Sequence, residues 1–213
     1  MTQTARHSTP HGAAARKLAA KPIGRPREFD EDEVVGRMRD LFWDQGFEAT
    51  SITDIERVTG LHKGSLYAAF GSKQNMYLRG LAAYEAESVD AACDGMDAAI
   101  RAGGDAAEML AALMNAPIAS YSSGDFRGCF LCNASAERAA SDGQTRALVT
   151  RAYRRLRATF ALAVSRMRPD WEESRVEARA SLLLVAYSGL RVMARAKVSR
   201  KVLESARDAV LAF

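Results

Sequence analysis

The chain has 213 residues, of which 48% are hydrophobic and 26% charged, with a net charge of +4. That length favours one or two domains. No apolar run approaches the roughly 18 residues of a membrane span, and the first residues lack the apolar core of a secretory leader. Three cysteines, Cys93, Cys129 and Cys132, are too few for a disulfide scaffold, so the expectation is a cytoplasmic protein in a reducing compartment, with no membrane partner.

Alanine is abundant, proline rare and runs of Val, Ile and Thr absent, which favours helix throughout. Residues 1–23 read as a disordered basic tail. With Arg25 and Arg27, the basic residues Arg6, Arg16, Lys17 and Lys21 exceed the net charge of the whole chain, and no acid accompanies them. Such an arm suits a polyanion; a solubilising or appended leader is the plain alternative for residues 1–20. Pro26 blocks a helix in Gly24 to Asp30. A first helix is expected from Asp30, with Val34, Met38, Leu41 and Phe42 on one face, ending at Gly46. A second runs from about Thr53 to Thr59, with Ser51 as cap and Ile55 and Val58 inward. A third runs from Lys63 to Phe70, with Leu66 and Phe70 inward. Ser72 caps a fourth, which continues through Met76, Leu81 and Tyr84 toward Met96.

After Gly103 and Gly104 a helix fits Asp105 to Ser120, bent near its end by Pro117. A turn is expected at Ser122 to Asp125, then a helix starting near Phe126 and broken by Gly143. A long helix from Gln144 to Arg168 stops at Pro169; the next runs from Trp171 to Ala196, and the last from Ser199 to Leu211. The fold class is therefore all-α.

The most specific signal is TSITDIERVTGLHKGSLYAAFGSK, Thr50 to Lys73. Two short helices joined at Gly60, with a third helix following Gly71, fit a helix-turn-helix, whose second helix lies in the DNA major groove. Thr50, Ser51 and Thr53 place hydroxyls and free N–H groups at a helix start, where phosphate binds without a cation. Gly60 permits the positive φ of a tight turn. Lys63, Ser65 and Tyr67 alternate with the inward Leu66 and can face a groove, Gly64 allows close approach of the backbone, and Lys73 can reach a phosphate.

The stretch from Gly24 to Leu78 closely resembles the N-terminal domain of the TetR family of bacterial transcriptional repressors. The shared features are the aromatic-Gly-aromatic pattern at Trp43 to Phe47, the Ala-Thr-Ser-Ile-x-Asp-Ile run, and Gly-Leu-x-Lys-Gly-Ser-Leu-Tyr-x-x-Phe-x-Ser-Lys. The resemblance implies a homodimer on a palindromic double-stranded DNA operator, with a C-terminal helical bundle for effector binding and dimerisation. By matched position it implies DNA contacts from Lys63, Gly64, Ser65 and Tyr67, a base or phosphate contact from Thr53, and phosphate contacts from Thr50 and Lys73. Arg25 and Arg27 suit a minor groove, or unspecific phosphate attraction. Ala69 replaces the His or Tyr of many members, and His62 stands where Ser commonly caps the recognition helix. The implied division is 24–74 for the DNA-binding domain and 75–213 for the helical effector-binding and dimerisation domain.

In the C-terminal part, DFRGCFLCNASAERA (Asp125 to Ala139) resembles the glycine–cysteine–apolar helix of one branch of that family, some of whose members respond to electrophiles, oxidants or metals. Cys129, Asn133 and Glu137 share one helix face, with Cys132 a turn from Cys129. A helix N-terminus and Arg127 would make Cys129 more acidic. Plain packing, thiol sensing through Cys129 and Cys132, and metal binding all remain open, although two thiols are a thin ligand set and no metal site or cofactor is expected. An unknown small-molecule effector is expected between bundle helices, among Met109, Leu113, Tyr121, Phe126, Cys129, Phe130, Asn133, Glu137, Tyr153, Phe160 and Tyr187.

The seven arginines between Gln144 and Arg168 are expected on a solvated face, partly neutralised by Glu172, Glu173 and Glu177, opposite a core face of Leu148, Leu156, Phe160 and Met167. The helix from Trp171 is apolar almost all round between Leu182 and Leu190, one side for the bundle and one for a partner subunit. The reading is a non-enzymatic, ligand-released repressor. Its rivals are a redox- or electrophile-sensing repressor acting through Cys129, a cysteine-dependent oxidoreductase, and an architectural DNA-binding protein.

Overall fold

A computed structural model describes residues 29–213. The expected basic tail, Arg25 and Arg27 lie outside them. Among the described residues there are α-helices and one π-helical stretch, and no strand. None of those helices is long and apolar enough to cross a membrane.

Helix α1 (Glu31–Gln45) buries Val34, Val35, Met38, Leu41 and Phe42, a 3–4 residue rhythm that makes one apolar stripe. Helices α2 (Ile52–Thr59) and α3 (Lys63–Phe70) follow. Gly60 joins them at φ 73°, where its N–H donates to Glu56 O at 2.8 Å. A side chain there would meet the left-handed penalty, so glycine fixes the corner. Helix α4 (Lys73–Tyr84) packs along α1, with Tyr77 edge-on to Phe42 at 5.3 Å.

The expected fourth helix continues further than Met96. A π-helical stretch, Glu85–Asp90, leads directly into α5 (Ala91–Arg101). Leu81 and Tyr84 are buried before it, and Val89, Cys93 and Met96 after it. The step from Tyr84 to Val89 is one residue too long for an α-turn to keep both inward, and the wider π turn absorbs it.

Helix α6 (Ala106–Asn115) is capped by the Asp105 carboxylate and ends before Pro117. Ser122 and Ser123, expected in an open turn, close the short helix α7 (Ser120–Ser123). Helix α8 (Phe130–Glu137) begins four residues later than expected, with Cys129 as its N-cap. Gly143 opens α9 (Gly143–Met167) rather than ending α8, because Asp142 accepts the Thr145 N–H at 2.8 Å and starts the helix there. Helices α10 (Glu173–Arg195) and α11 (Arg200–Leu211) complete the chain.

Helix α9 is central, touching α4, α5, α6, α8 and α10. Its inner face is Val149, Ala152, Leu156, Phe160, Ala163 and Val164; Leu148 and Met167 sit only half-buried at its edges. Its arginines are also placed differently from expectation. Arg151 pairs with the buried Glu85, Arg155 holds Asp94 and Asp97, and Arg168 holds Asp170. Of the expected acids only Glu177 takes part, through Arg157. The basic face is thus in good part an ion-pair seam to the π turn and α5. Glu31–Phe213 closes into one compact unit.

Candidate nucleic-acid interface and effector chamber

The start of α2 is a capping box. Ser51 Oγ accepts the Asp54 N–H at 3.1 Å, and Asp54 Oδ2 accepts the Ser51 N–H at 3.0 Å. Hydrogen bonds from the Ser51 hydroxyl, then its amide, then Arg57, hold the Asp54 carboxyl at about 2. His62 makes no side-chain cap to α3. That role falls to Glu56, whose Oε1 accepts the Lys63 N–H at 2.6 Å.

Leu66 and Phe70 anchor α3 from beneath. Lys63, Gly64, Ser65, Tyr67 and Ala68 are exposed on its outer side, as is Thr53 on α2, while Ala69 is half-buried. The Lys73 ammonium lies 4.4 Å over the Phe47 ring. Thr50 needs correction as a phosphate contact: it is fully buried, and its hydroxyl donates to Gly46 O at 2.6 Å, pinning the turn between α1 and α2.

The predicted effector residues do not converge on one space. Phe126 lines a cavity of about 160 Å³ whose walls include Trp43, Pro117, Arg191, Ala194 and Arg195. Asn133, Glu137 and Cys132 line a neighbouring groove of about 440 Å³ that shares Trp43 and Arg195 with it. Tyr153 and Cys132 line a third recess of about 390 Å³. Met109, Leu113, Tyr121, Phe130, Phe160 and Tyr187 line none of these three. Phe130 and Phe160 are core, and the Tyr121 hydroxyl is bound to Val198 O, so these three are corrected to structural positions. The Glu137 carboxylate is committed to backbone amides of another segment.

Trp43, Arg191 and Arg195 were not anticipated. An aromatic in α1 and two arginines in α10 meet only through the fold. Arg191 donates through Nε and Nη2 to the Tyr187 hydroxyl at 3.1 and 2.6 Å. Neither Arg191 nor Arg195 has a carboxylate partner among the described residues, whereas Asp125 in the same wall is clasped by Arg127 at 2.8 Å. Gly128 sits against the stem of Arg195 with φ 78°, and a Cβ there would lie 3.2 Å from Arg195 Cβ. The glycine of the Arg-Gly-Cys run therefore lets this loop lie flat on α10.

Behind Arg191 lie the two thiols. The hydrogen bond from the Cys132 thiol, helped by the Arg191 charge and by Tyr84, overcomes burial and lowers the Cys129 thiol below its ordinary range. Cys132, the donor of that bond, is pushed up. Cys129 is buried and lines none of the three spaces, which Arg191 and Cys132 border instead. Among the described residues no group of three or more His, Cys, Asp or Glu could hold a metal ion.

The far end of α8 grips the helix-turn-helix. Glu137 accepts the N–H groups of Phe47 and Glu48 at 3.1 and 3.0 Å. Arg138 lies 3.7 Å over the Phe47 ring and donates to Gln74 Oε1 at 2.6 Å. One short helix thus runs from the thiol and arginine cluster to the mount of α2 and α3.

Residues 39–79 match the family model described as bacterial regulatory proteins, tetR family. The chain is 40% identical over 57 residues to the transcriptional repressor ComR and 37% over 68 residues to the transcriptional repressor BdcR, both of Escherichia coli (strain K12). Those alignments take in 27% and 32% of this chain, and span only 27% and 34% of the two repressors. A solved structure of a cysteine-substituted TetR family transcriptional regulator CifR, complexed with 26 bp double-strand operator DNA, covers 88% of this chain and 98% of its own. The two agree with a TM-score of 0.69 at 27% identity. The helix-turn-helix segment is thus that of the TetR family of bacterial regulatory proteins, and the described helices follow the course of a TetR family regulator.

Proposed function

We propose that this chain is a homodimeric, cytoplasmic transcriptional regulator, a repressor released from a palindromic DNA operator by a small molecule. The observation that carries the reading is the outward row Lys63, Gly64, Ser65 and Tyr67 on a helix anchored by Leu66 and Phe70. Thr53 and Lys73 flank that row for base or phosphate contact, with Arg25 and Arg27 reaching into a minor groove. Residues 24–74 serve as the DNA-binding part and 75–213 as the effector-binding and dimerisation part. The exposed Leu182, Val185, Val192 and Met193 of α10, with Val202 of α11, support the dimer: an apolar strip on a long helix is costly in water and suits a second copy. An effector acts by favouring a state in which α8 turns or shifts the mount of α3, so that two recognition helices no longer match successive grooves.

The test is selection from a random-sequence duplex pool with the purified protein. An enriched inverted repeat is expected. Lys63→Ala should weaken binding to it and flatten the slope of log K against log salt by about 1. A pool that emerges unenriched overturns the reading.

A second reading, thiol sensing through Cys129, is favoured by one arrangement: Arg191 and the Cys132 thiol beside the Cys129 sulfur, making it more acidic. Titration by thiolate ultraviolet absorbance should show a step below the ordinary thiol range, missing in Cys129→Ser and moved upward in Arg191→Met. If the wild-type step appears only in the ordinary thiol range, the sensing role loses its chemical basis.

A further inference from the structure

The chamber beside Arg191 has a surplus of hydrogen-bond donors and positive charge. Arg191 spends two of its N–H groups on a neutral phenol, Tyr187. Arg195 spends one on a backbone carbonyl, that of Arg127 at 2.9 Å. The indole N–H of Trp43, another wall, is buried without an acceptor. The one acid in the wall, Asp125, is neutralised by Arg127, whose Nη2 and Nε reach it at 2.8 and 3.1 Å. Arg191 is half-buried with the Cys129 sulfur as an acidic neighbour, Arg195 is exposed, and a bound anion would give both guanidinium groups a carboxylate partner that the described residues do not supply.

The remaining walls set the rest of the ligand. Trp43, Pro117, Phe126 and Ala194 are apolar, and the volume is about 160 Å³. A cavity of roughly 150 Å³ takes one benzene ring. We propose that this chamber binds a small organic monocarboxylate, its carboxylate on Arg191 and Arg195 and its apolar body against Trp43 and Phe126.

Arg191 suits the task because a planar guanidinium meets a carboxylate through two parallel bonds. Four structural segments converge there: α1 through Trp43, the stretch from Ala116 to Ser123, the Asp125–Gly128 loop, and the end of α10. Occupancy therefore bears on α1, which carries the helix-turn-helix. The regulatory consequence rests on the reading of the chain as an effector-released DNA-binding protein; the binding itself does not.

The experiment is calorimetric titration of the full chain with benzoate, butyrate and acetate, against the neutral benzamide and benzyl alcohol. At least one carboxylate should bind, with a neutral counterpart weaker by about tenfold or more, since the charge-assisted contacts are lost. Arg191→Gln should lower the affinity for that carboxylate by about tenfold or more, and Arg191→Lys should restore part of it. Equal binding of benzoate and benzamide, binding by none of the three acids, or full affinity in Arg191→Gln overturns the proposal. The comparison of acid with neutral isostere uses the unaltered protein, so it stands whether or not the variants fold. A parallel titration of the protein on its selected operator separates the two ideas. Carboxylate binding without DNA release leaves the site standing and removes the regulatory reading. DNA binding that persists with no carboxylate bound anywhere removes the site alone.

Discussion

Phe130→Ala is expected to cost about 3–5 kcal/mol of stability, measured by urea unfolding. Phe130 is 1% exposed, and its ring lies edge-on to Tyr77 at 5.6 Å and Tyr84 at 5.9 Å. Tyr77 in turn meets Phe42 and Phe47 at 5.3 and 5.2 Å. Truncation thus opens a void where α1, α4 and α8 join, and removes edge-to-face contacts worth about 0.5–1.5 kcal/mol per pair beyond their buried area. The loss should be global, because Glu31–Phe213 is one compact unit. The two tryptophans report this independently: Trp43 packs 4.8 Å from Tyr84, while Trp171 lies at the other end of the bundle between Arg175 and Phe213. Single-tryptophan forms of the variant should unfold at the same lowered urea concentration. A loss below about 1 kcal/mol, or a Trp171 transition left in place while that of Trp43 moves, speaks against a single cooperative unit.

The features legible in the sequence were those set by neighbours a few residues away. Ser51 and Asp54 cap each other, Gly60 turns the corner, and Leu66 and Phe70 are one helical turn apart. These requirements fix α2 and α3 before the rest of the chain is in place, and α3 runs over the expected Lys63–Phe70. The same logic finds the caps Ser72 and Asp105, the latter by the helix it opens. It fails where a distant partner decides. A threonine before a helix reads as an exposed hydroxyl, yet Thr50 is spent on Gly46 O. The π turn at Glu85–Asp90 answers to packing on α9, which local propensity does not encode. The arginines of α9 alternate with apolar residues as on a wet surface, and only the fold brings Glu85, Asp94 and Asp97 opposite them.

The effector region was less legible for the same reason. Asn133 and Glu137 share α8, with Cys129 only at its N-cap position, and each of the three serves a different neighbour. Cys129 caps the helix beside the Arg191 charge, Asn133 holds Arg127 O at 3.0 Å, and Glu137 holds two amides of another segment. Large aromatic residues fall mostly into the core, as Phe160 and Tyr187 do, 5.9 Å apart. A usable signal was Arg191 itself, a charge at the end of an otherwise apolar stretch of α10, where a cation within a helix bundle draws acidic or anionic groups to it.

Arg138→Ala should loosen the mount of the helix-turn-helix, at a cost of about 2 kcal/mol. The side chain is 13% exposed, and its guanidinium makes hydrogen bonds to Gln74 and Glu48. It also stacks 3.7 Å above the Phe47 ring. Hydrogen bonds to charged groups contribute about 1.5–3 kcal/mol each when shielded, and a partly desolvated cation–π contact about 1–2 kcal/mol. The exposed Glu48 carboxylate adds little. Against this, the Arg138 Nε is buried without a partner, so removing the side chain also relieves one unmet donor, which keeps the net near the lower figure. Glu137→Gln makes the finer comparison. It keeps the shape but removes the charge that receives the Phe47 and Glu48 amides. Hydrogen exchange should then quicken at those two amides with little change in global stability, whereas Arg138→Ala should quicken exchange across the end of α1 and the start of α4. Since the two residues adjoin and share Phe47 and Glu48 as partners, the double variant should depart from additivity by 0.5 kcal/mol or more, the order found for residues in one network. Additive losses, or unchanged exchange at Phe47 in both single variants, mean that α8 merely lies beside the DNA-binding segment and does not hold it.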